Sequence, residues 1–109
     1  MSIVKNMIEE RRKSLRISYH PSERPVFQIG KDTFWVVDLN ETGMAIEGAD
    51  ALVHFEEIRG RVLFRQDESM GVEGVVVWRK NNRWGIEFNH PIPASIILRE
   101  HQRRAQNLR

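Results

Sequence analysis

Apolar and polar residues follow two different periods along this chain, and the change between them gives the first outline of a structure. Ile3, Val4, Met7 and Ile8 fall at helical spacing, which predicts one or two amphipathic turns over residues 2–10, too short to stand without packing on something. From Leu15 onward the pattern is that of strands. Pro21 and Pro25 punctuate a loop, and residues 25–29 read as the first core strand. Gly30-Lys31-Asp32 marks a hairpin turn into a second strand over 33–38. After a turn at 40–43, a short third strand occupies 44–47 and ends near Gly48, and 49–57 is irregular. A fourth strand is expected over 59–65 and, beyond the acidic turn 66–69, a valine-rich fifth over 72–79. Lys80-Asn81-Asn82 is a strong hairpin signal because Asn tolerates positive φ, and the return strand 84–88 alternates cleanly. Pro91 and Pro93 close the sheet, and 94–108 reads as a helix carrying Ile96, Ile97, Leu98, Ala105 and Leu108, with a basic last turn that suits the helix dipole.

About six closely spaced strands followed by one helix predict a mainly β fold. The expected architecture is a six-stranded antiparallel β-barrel with a C-terminal α-helix and a short N-terminal helix or arm. Residues 1–109 read as a single domain, with an arm over 1–17, the barrel over 18–90 and the helix over 91–109.

Composition narrows the chemistry. The 109 residues are enough for one hydrophobic core without metals or disulfides. With no cysteine, disulfide scaffolds, thiolate zinc sites and cysteine nucleophiles are excluded. No apolar run approaches the roughly 18 residues that span a bilayer. No continuous apolar core follows Lys5, so no secretory leader is expected and the expected location is cytoplasmic. The net charge of +2 hides a division: residues 1–16 hold five Lys/Arg against two Glu, and 99–109 hold four Arg against one Glu. The middle, 17–98, has eight basic and twelve acidic residues, so the positive charge lies at the two ends. A nucleic-acid-binding body would carry a basic stripe across its own surface, and this one does not. Charged ends that are merely solvated would give the same distribution.

Two short segments carry the candidate chemistry. Arg11-Arg12-Lys13-Ser14-Leu15-Arg16 is a cationic stretch able to wrap phosphates, and Asp38-Leu39-Asn40-Glu41-Thr42-Gly43 is a turn able to present hydrogen-bonding groups to a base edge. Together they suggest a receptor for a small, doubly anionic nucleotide rather than an enzyme. In the right order and on this strand pattern, Glu10 through Ile17 resembles the RxxxR signature that opens PilZ domains, and Asp38 through Gly43 resembles their second signature, [D/N]xSxxG. The run Gly74-Val75-Val76-Val77-Trp78, with Trp84-Gly85-Ile86-Glu87-Phe88, is similar to the closing hairpin of that family, and the similarity covers roughly 9–105.

The resemblance implies a six-stranded barrel and, as ligand, the bacterial second messenger cyclic di-GMP. It implies that Arg12 and Arg16, with Arg11 beside them, clasp phosphates and guanine edges. Asp38, Asn40 and Gly43 would line the other side of the base, and Trp78 would stack on guanine. The physical chemistry agrees. Guanidinium is a planar fork that matches two phosphate oxygens or the guanine O6/N7 pair, whereas lysine supplies a point charge. Asp38 can accept from guanine N1–H and N2–H₂. Gly43 permits a φ that residues with side chains avoid. Asn40 stands where the family motif has Ser; its amide still donates and accepts, but it is bulkier.

Plainer readings stand beside these. The turn at 38–43 would also be an ordinary β-turn held by an Asx hydrogen bond. Trp78 would point outward or pack in the barrel; Trp35 and Trp84 read as structural. Glu56-Glu57 and Asp67-Glu68 read as solvated loop acids. His20, His54, His90 and His101 lack metal-ligand spacing, and no nucleophile elbow, phosphate-binding Gly-rich loop or HExxH occurs, so neither a metal, a cofactor nor catalysis is expected. The expected function is a cyclic di-GMP receptor or adaptor that changes its contact with a protein partner, without membrane insertion. The alternative is a nucleotide-independent interaction module serving pilus or flagellar assembly. RNA binding through basic tails and tryptophans is disfavoured by the acidic body.

Overall fold

The computed structural model of this chain describes residues 15–48 and 56–107, with side chains as far as Arg103 in the second stretch. Among the described residues, seven strands and one α-helix follow in order: β1 Ile17–Ser18, β2 Val26–Ile29, β3 Asp32–Leu39, β4 Gly43–Glu47, β5 Glu57–Leu63, β6 Ser69–Lys80, β7 Arg83–Phe88 and α1 Ala94–Asn107. The single sheet runs β1-β3-β2-β5-β6-β7-β4, and a further β3–β4 pairing joins its ends. Six strands thus close into an antiparallel barrel, as the strand pattern predicts, and closure removes the exposed sheet edge. The two-residue β1 is the addition. It pairs with β3 at Ile17↔Leu39 and Ser18↔Asp38, beyond the point where β2 leaves off at Val26↔Trp35. Ile17, at the end of the expected arm, is fully buried.

The turns are set by residues that tolerate their backbone. Gly30 (φ 57°) and Asn81 (φ 56°) take left-handed conformations in the β2–β3 and β6–β7 hairpins. Gln66 and Asp67 do so in the β5–β6 turn, which is closed by Phe64 N–H donating to the Glu68 carbonyl at 2.7 Å. The fourth strand lies two residues earlier than expected, at 57–63, because its register is fixed by β6, with Ile58↔Gly74 and Val62↔Met70.

Inward positions fill the barrel. Phe27, Phe34, Val36, Leu39, Ile46, Val62, Trp84 and Ile86 are each almost wholly buried, and Ile92 and Ile97 pack onto this core from the chain leading into and through α1. Burial of each such side chain contributes about 1.5–3 kcal/mol. The Arg79 guanidinium lies 4.7 Å from the centre of the buried Trp84 ring. Trp35 departs from expectation: it is 52% exposed and stands on the outer face, because the inward positions beside it are taken by Phe34 and Val36.

Helix α1 docks through a polar contact as well. Glu100 is 3% exposed, accepts a 2.7 Å hydrogen bond from the Tyr19 hydroxyl, and faces Arg103 Nη1 at 2.9 Å. Arg103 and Arg99 both reach Glu68, which is therefore an ion-paired acid of the β5–β6 turn and not the solvated one expected. Burial, followed by the Glu100 charge and hydrogen bond, pushes the Tyr19 hydroxyl far above the ordinary tyrosine range, so it remains a donor.

Candidate functional site

Strict alternation along β3 would bury Asp38, since Phe34 and Val36 point inward. A bulge between Val36 and Asp38 adds one unpaired residue, Val37, and reverses the parity. Leu39 then points into the core and Asp38 sits half-buried on the outer face. The same device operates in β6. Val72 and Val76 pack on the core, which would send Trp78 inward too, but a bulge between Val76 and Trp78 turns it out. Trp78 is 46% exposed.

The register places these two side chains on one row. Ser18 pairs with Asp38, Asp38 with Ala45, Ala45 with Gly85, and Gly85 with Trp78. Between Asp38 and Trp78 the row thus carries only Ala45 and Gly85, which gives a low floor with a carboxylate on one side and an indole on the other. The Trp78 indole lies over Gly85, where a β-carbon would overlap it. With strands about 4.8 Å apart, the backbones of Asp38 and Trp78 are about 14 Å apart along the curved sheet.

The turn beyond Asp38 is built by Asn40. Its Oδ1 accepts from Thr42 N–H at 2.9 Å, Thr42 Oγ1 at 3.1 Å and Gly43 N–H at 2.8 Å, while its own N–H donates to the Gly43 carbonyl at 2.9 Å. This is the Asx arrangement, with the side-chain carbonyl consumed inside the turn and the amide Nδ2 as the group the turn does not use. Gly43 is required for a different reason from the one expected. It does not adopt a left-handed φ; a β-carbon there would overlap the Ile86 carbonyl oxygen of β7, where the two strands approach closely.

Arg16, Asp38, Asn40, Gly43 and Trp78 line one open cleft of about 250 Å³, together with Glu87, Val77 and Thr42. Arg16 is exposed and two residues from Ser18, so β1 carries the guanidinium to the rim beside Asp38. Arg11 and Arg12 lie outside the described residues, as does the helical stretch expected over 2–10. Glu87, opposite Gly43 and on the same outer face as Gly85, is a second carboxylate at the cleft that sequence reasoning missed. Its outward place in the alternation of 84–88 was the available signal. A larger open groove, about 600 Å³, lies on β5, β6 and the chain after β7, lined by Arg59, Arg61, Glu73 and His90 among others. It contains none of the expected site residues, and size alone does not make it the candidate.

No group of three or more potential metal ligands occurs among the described residues, and no helix among them is long and apolar enough to cross a membrane.

Comparison with known proteins bears on the fold and the family. The crystal structure of an uncharacterized Legionella protein superposes with a TM-score of 0.64, at 11% identity, covering 86% of this chain and 98% of that one. At that identity the likeness concerns the fold alone. None of the curated proteins matches the sequence. The family model described as PilZ domain matches residues 10–104, a span that includes both the arginine segment and the Asp38–Gly43 turn. PilZ domains are, as a family, binding and adaptor modules for cyclic di-GMP. The match runs over nearly the whole chain, and the chain therefore belongs to the PilZ domain family.

Proposed function

We propose that this chain is a cyclic di-GMP receptor whose cleft takes a guanine and its phosphate between Arg16, Asp38 and Trp78. The observation that carries the reading is the single row Asp38–Ala45–Gly85–Trp78, with Arg16 at its rim. A purine laid on the Trp78 indole, which covers Gly85, would extend over Ala45 toward Asp38. There the carboxylate accepts from N1–H and N2–H₂, the donors that distinguish guanine from adenine. Arg16 supplies a forked, charge-assisted contact to phosphate or to O6/N7. At about 250 Å³ the cleft is smaller than the roughly 300–1,000 Å³ of typical small-molecule pockets, so it suits half of the dinucleotide. The remaining half falls to Arg11 and Arg12 of the same segment.

The output follows from where β1 leads. Tyr19 follows β1 directly and holds Glu100 of α1, so a ligand that draws the arginine segment toward Asp38 acts on a segment already joined to the helix. The receptor changes its partner contacts by differential affinity for the two arrangements of arm and helix. The domain works as an adaptor in the cytoplasm of a bacterium, without catalysis.

Isothermal titration with cyclic di-GMP tests this. The wild type should bind, Arg16→Ala and Trp78→Ala should each lose about tenfold or more, and cyclic di-AMP should give no heat; a contact worth about 1.5–3 kcal/mol corresponds to a factor of about ten to a hundred. Equal heats from the wild type and Arg16→Ala would remove the arginine clamp.

A second reading draws on Asn40. Its Oδ1 is spent on the turn, where the shorter family serine leaves more room, which favours a nucleotide-independent interaction module in pilus or flagellar assembly. The absence of any heat with cyclic di-GMP would select it.

A further inference from the structure

On the outer face of the barrel, one row of side chains is apolar across three strands. Val26 of β2 pairs directly with Trp35 of β3 on one side and with Leu63 of β5 on the other. All three point outward, since their chain neighbours Phe27, Phe34, Val36, Val62 and Phe64 are buried. Trp35 is 52% exposed, Leu63 36% exposed and Val26 half-buried. Nothing within the described part of the fold needs an indole there. A tryptophan and two aliphatics in contact across adjacent strands form the kind of exposed patch, with an aromatic anchor, that partners cover.

The surroundings identify the chemistry of the partner. At the Trp35 end, Glu47 pairs with Trp35 in register and is shared by Arg24 at 3.1 Å and Arg83 at 2.8 Å, two guanidiniums on one carboxylate. At the Leu63 end stand Arg61, which donates to the Ser69 hydroxyl at 2.9 Å, and Arg65, which donates to the Ser22 carbonyl at 2.9 Å. Four guanidiniums thus flank the apolar row, that of Arg24 only 12% exposed, and set against Glu23 of the adjoining 3-10 turn, Glu47 and Asp67 of the β5–β6 turn they leave the rim positive by one charge. These arginines are held by hydrogen bonds in fixed directions. A fixed guanidinium array matches carboxylates forked from a peptide better than it matches diffuse lipid charge.

We propose that the Trp35–Val26–Leu63 face is the docking surface for an acidic segment of a partner protein with an apolar anchor residue, which the arginine rim orients. The patch lies about 10 Å along β3 from Asp38, beside the cleft and separate from it. From the adaptor reading the proposal takes only that a partner exists. Its test contains no nucleotide, so failure of nucleotide binding leaves the result unaffected.

The probes are two labelled synthetic peptides, one an amphipathic Glu/Leu sequence with a single Phe and the other its Lys-for-Glu counterpart, and vesicles of phosphatidylglycerol. Fluorescence anisotropy with the full chain should show binding of the acidic peptide, weakened by salt. Trp35→Ser and Leu63→Ser should each weaken it about tenfold or more, as loss of an anchor does. Arg61→Glu should weaken it too, and all three variants should keep a single cooperative unfolding transition because the changed side chains lie on the outer face, outside the core. The proposal is overturned if the acidic peptide fails to bind, if the lysine peptide binds equally, or if Trp35→Ser has no effect. Vesicle binding or self-association that Trp35→Ser abolishes would also overturn it, by giving the face to lipid or to a second copy.

Discussion

The indole of Trp78 lies over Gly85, its register partner on β7, so closely that no β-carbon fits between them. The glycine is the seat of the ring. Gly85→Ala should therefore push the indole off the sheet and cost about 1–3 kcal/mol of stability as an overpacking change. If the ring stacks on guanine, cyclic di-GMP affinity should fall by about tenfold, within the 1–3 kcal/mol that stacking contributes per base. Urea denaturation and calorimetry read the two effects separately. An unchanged affinity with a displaced ring would show that the position of Trp78 does not matter for binding.

Tyr19 and Glu100 make a comparable pair in the core. Tyr19→Phe removes the 2.7 Å hydrogen bond and leaves a carboxylate that is 3% exposed with one donor fewer. A loss of about 1–3 kcal/mol is expected, together with faster amide hydrogen exchange in α1 than in the barrel strands. Uniform loss across all elements would mean that the bond stabilises the domain without specifically holding the helix.

Asn40 is expected to act first as a turn residue. Asn40→Ala deprives Thr42 N–H, Thr42 Oγ1 and Gly43 N–H of their acceptor and should cost about 1–2 kcal/mol. Asn40→Ser restores an acceptor on a shorter side chain and should recover much of that loss. If nucleotide binding also tightens in Asn40→Ser, the extra bulk of the amide limits the cleft; the melting temperature and a titration on the same samples decide this.

Glu47 gives the domain a pH signature. The hydrogen bond from Arg83, with the charge of Arg24 beside it, holds the Glu47 carboxyl below the usual glutamate range. A lowered folded-state pKa means that the unfolded chain binds the proton more readily, so the stabilisation is complete above the ordinary glutamate pKa and is lost as pH falls through the lower folded value. Glu47→Gln should therefore be less stable than wild type at neutral pH, by roughly 1 kcal/mol or less for a partly exposed pair. The difference should begin to shrink as pH falls below the ordinary glutamate pKa of about 4.3 and vanish once it is below the lower folded value. A difference that grows on acidification would contradict the assignment.

Much of the architecture could be read from local pattern. All six barrel strands, the glycine and asparagine hairpins and the C-terminal helix follow from period, turn chemistry and prolines, since each is decided within a few residues. The motif residues around Asp38 were legible for the same reason: a short polar turn between apolar strands is visible in one dimension. Trp35 was not, because alternation gives two faces without saying which is inside, and the choice fell to the fit of Phe27 and Phe34 within the barrel.

What the chain alone determined, then, is the set of elements and the residue types available to the candidate site. Tertiary structure decided which of those residues share a surface. Two bulges, at Val37 and Val77, each shift the alternation by one and turn Asp38 and Trp78 outward onto a row paved by Ala45 and Gly85. A bulge exists only relative to a partner strand, so it has no signature in a single strand read alone. The pairing of β3, β4, β7 and β6 creates both the parity of the side chains and the cleft between them.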